Sequence, residues 1–166
     1  MTSPANIAKH PIHPMLVAFP SALLVFSLVS DLIHLFGWGE AVWNDVAYYT
    51  MAGGIIGALV AAVPGLIDLL AQTEAKVKKI GVTHMIINLV AVAIFAINFW
   101  LRTKGTTGAA WPIALSVIGV ALLCVSGWLG GEMVYVHGVA VAPPSETGRT
   151  EPVKKEEVGA AMRRLN

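Results

Sequence analysis

The sequence predicts an all-α integral membrane protein, an up-down four-helix bundle. Three observations predict it. Of 166 residues, 56% are hydrophobic and 13% charged, where a soluble domain has about 25% charged. The apolar residues gather in four runs, Met15–Phe36, Val46–Leu70, Ile80–Leu101 and Pro112–His137. Each is long enough to cross a hydrocarbon layer of roughly 30 Å as a helix, the form that satisfies its own backbone in lipid. The connections, Gly37–Asp45, Ala71–Lys79 and Arg102–Trp111, are short, so consecutive helices are antiparallel neighbours.

Residues 1–14 form an N-terminal segment containing His10-Pro11-Ile12-His13-Pro14. A residue before proline is pushed toward extended or polyproline backbone. In a polyproline helix of period three, His10 and His13 point the same way, about 9 Å apart. The first span is too long for a signal-peptide core and no convincing small-residue cleavage site follows it, so it reads as a retained helix. The second carries Gly53, Gly57, Ala61 and Gly65 at four-residue spacing, which lets helices approach closely or leaves room for a flat cofactor. His84 opens the third span. Pro112 suits the first turn of the fourth, whose ridge holds Gly119, Gly127 and Gly131, with Ser126 and Gly130 beside it. Trp38, Trp43, Tyr48, Tyr49, Trp100 and Trp111 fall at one set of helix ends, as an interfacial belt. The transmembrane domain is thus 15–142, followed by a flexible charged tail over 143–166.

The N-terminus, second loop and tail carry Lys9, Lys76, Lys78, Lys79, Arg149, Lys154, Lys155, Arg163 and Arg164; the other two loops carry Arg102 and Lys104. The positive-inside rule puts both termini in the cytoplasm. A formal net charge of +1 carries no electrostatic footprint for nucleic acid. The single cysteine, Cys124, excludes an internal disulfide and CxxC motifs. No serine elbow, HExxH or phosphate loop supports hydrolytic chemistry.

In this topology His10, His13, Asp68, His84, Glu132 and His137 fall in one layer near the cytoplasmic face. Only His34 lies at the other, at helical spacing from Asp31, with which it should form at most a local pair. Ionisable groups near membrane depth usually face the bundle interior and mark functional sites. A polar cluster of purely structural meaning is the alternative, since water and headgroups are near. Haem b in a membrane bundle is held by histidines from facing helices at one depth. His84 and His137 are the first choice; His13 is the substitute if the first helix faces the third, and His10 another. Asp68 and Glu132 would orient imidazole N–H groups. A zinc or iron ion on His13, His84, His137, Asp68 and Glu132 is the non-haem alternative. Glu132 and His137, about 140° apart on an α-helix, should not share one ion without a local break. A faint internal echo pairs His13 and Asp31 with His84 and Arg102, and Asp68 with Glu132. It would reflect two parallel helix pairs about an axis normal to the membrane.

The His-Pro-x-His-Pro element, Gly-Leu-Ile-Asp at 65–68, His84 and Gly-Gly-Glu-x-x-Tyr-x-His-Gly at 130–138 together resemble the bacterial transmembrane family labelled domain of unknown function 2231. The resemblance covers roughly residues 8–142. Val136 stands where the pattern leads one to expect a basic residue. The resemblance implies residence in the bacterial inner membrane. It also implies redox company, through relatives joined to Rieske or cytochrome c modules. The resulting expectation is a small redox or electron-transfer subunit with a b-type haem at the histidine cluster, rather than a free-standing enzyme. A non-haem metal protein and a cofactor-free structural or assembly subunit remain the alternatives. Self-association into a homo-oligomer is compatible with each.

Overall fold

Four helices carry the chain: α1 (Ile12–Leu35), α2 (Val42–Ala71), α3 (Ala75–Arg102) and α4 (Ala110–Gly131), the last extended by a π-helical turn over Glu132–Val136. The computed structural model describes residues 3–38, 41–105 and 110–141; the expected tail at 143–166 lies outside them. All four helices are long and apolar enough to span a membrane.

Their surfaces are inverted relative to a soluble protein. Leu, Ile, Val, Phe and Trp side chains cover the outside, while Ser27, Ser30, Asp31, Asn98, Arg102, Ser116 and Ser126 are buried. Lipid supplies no hydrogen bonds, so polar side chains go inward and apolar ones meet the acyl chains. Trp38, Tyr49, Trp100 and Trp111 are exposed at one end, where an aromatic belt belongs.

The chain before α1 departs from expectation. Asn6–Ile7 (β1) pairs antiparallel with His10–Pro11 (β2) around a turn at Ala8 and Lys9. His13 and Pro14 are already helical. A proline in the first helical turn gives up an N–H that has no partner anyway, so it starts α1 rather than delaying it. His10 and His13 therefore do not share a polyproline face. His10 is exposed, its Nδ1 donating to the Ala8 carbonyl at 2.9 Å.

The helices form a ring in chain order, with the closest packing within the α1–α2 and α3–α4 hairpins. The two hairpins repeat each other contact by contact. Ser27 Oγ donates to the Ala47 carbonyl at 2.7 Å, and Asn98 Nδ2 to the Pro112 carbonyl at 2.8 Å. A Cβ on Gly54 would strike Leu24, and one on Gly119 would strike Phe95, each at 2.6 Å. His13 bonds Ala61 of α2, and His84 bonds Ser126 of α4. His13 and His84, Leu24 and Phe95, Ser27 and Asn98, and Asp31 and Arg102 are all separated by 71 residues. Their α2 and α4 partners share a second constant offset. The echo is thus a pseudo-two-fold repeat. On that register Asp68 matches Met133, not Glu132, so the expected pairing of the two acids does not hold.

Two contacts join equivalent residues to each other across the ring and therefore lie on the pseudo-axis: His13 with His84 at one end, Asp31 with Arg102 at the other. Eighteen residues of α1 separate them, about 27 Å of helix, close to the hydrocarbon thickness. Leu24, Met51 and Phe95 fill the space between.

Candidate functional site: a histidine pair on the pseudo-axis

His13 and His84 meet with ring centroids 6.3 Å apart and planes perpendicular. Each ring is fixed by its neighbouring helix. His13 Nδ1 donates to the Ala61 carbonyl at 2.8 Å, and His84 Nδ1 to the Ser126 carbonyl at 2.9 Å. A carbonyl only accepts, so both bonds require a proton on Nδ1; in the neutral ring Nε2 then keeps its lone pair. On His84 that lone pair accepts from Asn88 Nδ2 at 3.1 Å. Asn88 also bonds the His84 carbonyl at 2.9 Å and Ser126 Oγ at 2.6 Å.

Glycines make room for both rings. A Cβ at Gly65 would lie 2.7 Å from His13 Nδ1, and one at Gly130 would lie 3.4 Å from His84 Cε1. The Gly53 and Gly57 ridge packs on Leu23, Phe19 and Pro20 of α1, whereas Gly127 faces open space.

The other residues expected in this layer share the end but not the centre. Asp68 Oδ1 accepts from Ser3 Oγ at 2.6 Å and from the Ala5 N–H at 3.1 Å, pinning the N-terminal segment to α2. Glu132 lies 3.9 Å from His137 Nε2. The orienting role foreseen for Asp68 and Glu132 is filled by the two backbone carbonyls. His84 faces His13, while His137 lies against the acid of its own helix. Among the described residues no three of His, Cys, Asp and Glu gather as a metal-ligand group.

The geometric objection to Glu132 and His137 meeting is overturned by the π turn. A π turn takes more residues per revolution than an α turn, so positions five apart approach each other instead of diverging. The break lies at Glu132–Val136, ahead of Gly138.

The opposite end holds a site that sequence reasoning missed. Arg102 reaches Asp31 through two bonds, at 2.7 and 2.6 Å, and its Nε donates to Asn98 Oδ1 at 3.1 Å. Asp31 thus pairs with Arg102 and not with His34. Arg102, taken as a loop residue, is the last residue of α3 and is buried. The 18-residue echo that aligned it with Asp31 was the available signal.

The family model described as "Predicted membrane protein (DUF2231)" matches residues 9–143. The chain belongs to this family. No curated protein and no solved structure matches it. The DUF2231 match takes in both histidines of the pair, the Asp31–Arg102 bridge and the π turn, and begins at the β-hairpin turn.

Proposed function

We propose that this DUF2231 protein is a small membrane electron-transfer subunit in which His13 and His84 would hold a b-type haem. The carrying observation is a pair of imidazoles from facing helices, each with Nδ1 tied to a backbone carbonyl. That second bond is the device by which ligating histidines are oriented and made more basic. The residues fit the group. Their ring centroids lie 6.3 Å apart, close enough for both rings to reach one metal. Two donors without a third among the described residues favour haem over a bare ion, because haem brings four nitrogens of its own and would need few from the protein. Haem supplies one-electron chemistry when bound.

The chain's own residues do the rest. Ala61 and Ser126 hold the ring tautomers, Gly65 and Gly130 keep the helix backbones against the rings, and Asn88 keeps two other acceptors if His84 Nε2 is taken. Asp68 anchors the segment that leads into His13. The distribution of lysines and arginines supports a bacterial inner-membrane topology with both termini cytoplasmic, which puts the histidine end on the cytoplasmic side. A Rieske or cytochrome c type protein is the proposed redox partner.

The test is the absorption spectrum of protein purified in detergent after expression with ample haem supply. A Soret band that shifts on dithionite reduction is expected. Stoichiometric metal without that band would replace haem by a metal ion. Colourless, metal-free protein would leave the pair a structural pin.

A further inference from the structure

The hydrogen bonds that tie the chain ahead of α1 to α2 converge on one atom. Ser3 Oγ and the Ala5 N–H both donate to Asp68 Oδ1, at 2.6 and 3.1 Å. Ser3 and Ala5 are also the only buried residues of the stretch 3–10. Its other bonds are internal. The Asn6 N–H donates to the Pro4 carbonyl at 3.1 Å, Asn6 Nδ2 to the Ser3 carbonyl at 2.6 Å, and β1 pairs with β2. Pro11, the residue capping α1, makes no side-chain cap bond. The segment is therefore a strap folded on itself, free to swing as a unit about Pro11. An element with so few buried side chains and so many exposed ones belongs to the low-stability end of a fold.

Its anchor sits beside the histidine pair. A Cβ at Gly65 would touch the His13 ring, and Asp68 follows Gly65 by three residues. Since α2 runs toward this end, the strap is held about 4.5 Å farther out than that contact. The pseudo-repeat sharpens the point. In the 71-residue register the strap corresponds to residues 74–82, which are helical from Ala75, with Val77 and Gly81 buried. A Cβ at Gly81 would strike Leu69 of α2 at 2.7 Å. His84 is thus approached by a helix continuous with its own and wedged against α2, His13 by a strap hung on one carboxylate. The strap also borders a cavity, with Ser3, Pro4 and Asp68 on one side and Val139 and Ala140 on the other, so it has room to move on that flank.

We propose that residues 3–11 are a hinged lid on the aqueous side of His13, latched by Asp68. Its opening exposes His13, and not His84, to small water-borne solutes. The inference takes from the haem reading only that the histidine pair is the site; the lid itself needs no haem.

The experiment treats detergent-solubilised protein, without added haem, with diethyl pyrocarbonate, which acylates a neutral imidazole nitrogen, and locates the adducts by peptide mass spectrometry. His10 is exposed with the lid open or closed and sets the intrinsic rate. His34, at the far end of α1, reports the integrity of the bundle. In wild type His13 should react far more slowly than His10. Asp68→Ala should accelerate His13 at least about tenfold, the gain in open population when bonds to a carboxylate are lost. His10, His34 and His84 should be unchanged, the last because α3 covers it and Asn88 occupies its Nε2. Asp68→Asn keeps an oxygen acceptor and should stay near wild type. Ser3→Ala removes one donor without touching α2 and should give a smaller acceleration. Equal rates at His13 and His10 in wild type, or no acceleration of His13 in Asp68→Ala, would overturn the proposal. If Asp68→Ala also speeds His34, the bundle is disturbed and Ser3→Ala decides: an unchanged His13 rate there would overturn it. Colourless protein would remove the haem reading and leave these rates as they are, so the two fail separately.

Discussion

A methyl group at Gly65 would sit 2.7 Å from His13 Nδ1, whereas one at Gly127 would meet nothing within 4 Å. Gly65→Ala must therefore push the ring off the Ala61 carbonyl or part α1 from α2. It should cost about 1–3 kcal/mol, the usual scale of overpacking, while Gly127→Ala should be close to neutral. Unfolding of the two variants in detergent checks the contrast. At 3.4 Å from His84 Cε1, Gly130→Ala should fall between them. The small-residue ridges were legible in the sequence because their spacing is periodic. Which glycine touches an imidazole was not, because that depends on how the hairpin's two helices are rotated. The same limit hid the carbonyl partners of His13 and His84, since every residue carries a carbonyl and composition cannot single one out.

At the scale of elements, helix number, order and approximate ends followed from hydropathy, since immersion in lipid demands long apolar runs. Deviations came where local chemistry competes with hydropathy. His13 precedes a proline yet is helical, because α1 begins at Ile12 and has no helical carbonyl four residues back for the Pro14 ring to meet. Arg102 looked like loop because it is charged, yet α3 carries it inward to Asp31. Removing one member of a buried pair strands the other charge, so Arg102→Leu should cost about 3–5 kcal/mol. Asp31→Leu combined with Arg102→Leu should cost less than Arg102→Leu alone, and a double-mutant cycle in detergent measures the difference. The π turn left no compositional mark. Deleting Val134, which shortens Glu132–Val136 by one residue, should restore α periodicity and separate Glu132 from His137. The four spans should be retained, as circular dichroism would show.

Seen whole, the molecule is two helical hairpins around one axis, with an imidazole pair at one end, an ion pair at the other and an apolar plug of Leu24, Met51 and Phe95 between. The plug offers no continuous polar route along the axis. A redox group at the histidine end would exchange electrons from that side of the bilayer. Both termini should be cytoplasmic: a reporter active only outside the cytoplasm, fused after Asn166, should be silent. A strong signal would invert the orientation and move the histidine pair to the outer face. The central claim concerns what the axis holds there. It is tested most directly by the low-spin ferric signal of haem-loaded protein in electron paramagnetic resonance, compared across single histidine variants. His13→Ala and His84→Ala should each lose the low-spin signal or lose haem altogether. His10→Ala, His34→Ala and His137→Ala should keep it. An unchanged low-spin signal in either His13→Ala or His84→Ala would contradict the account.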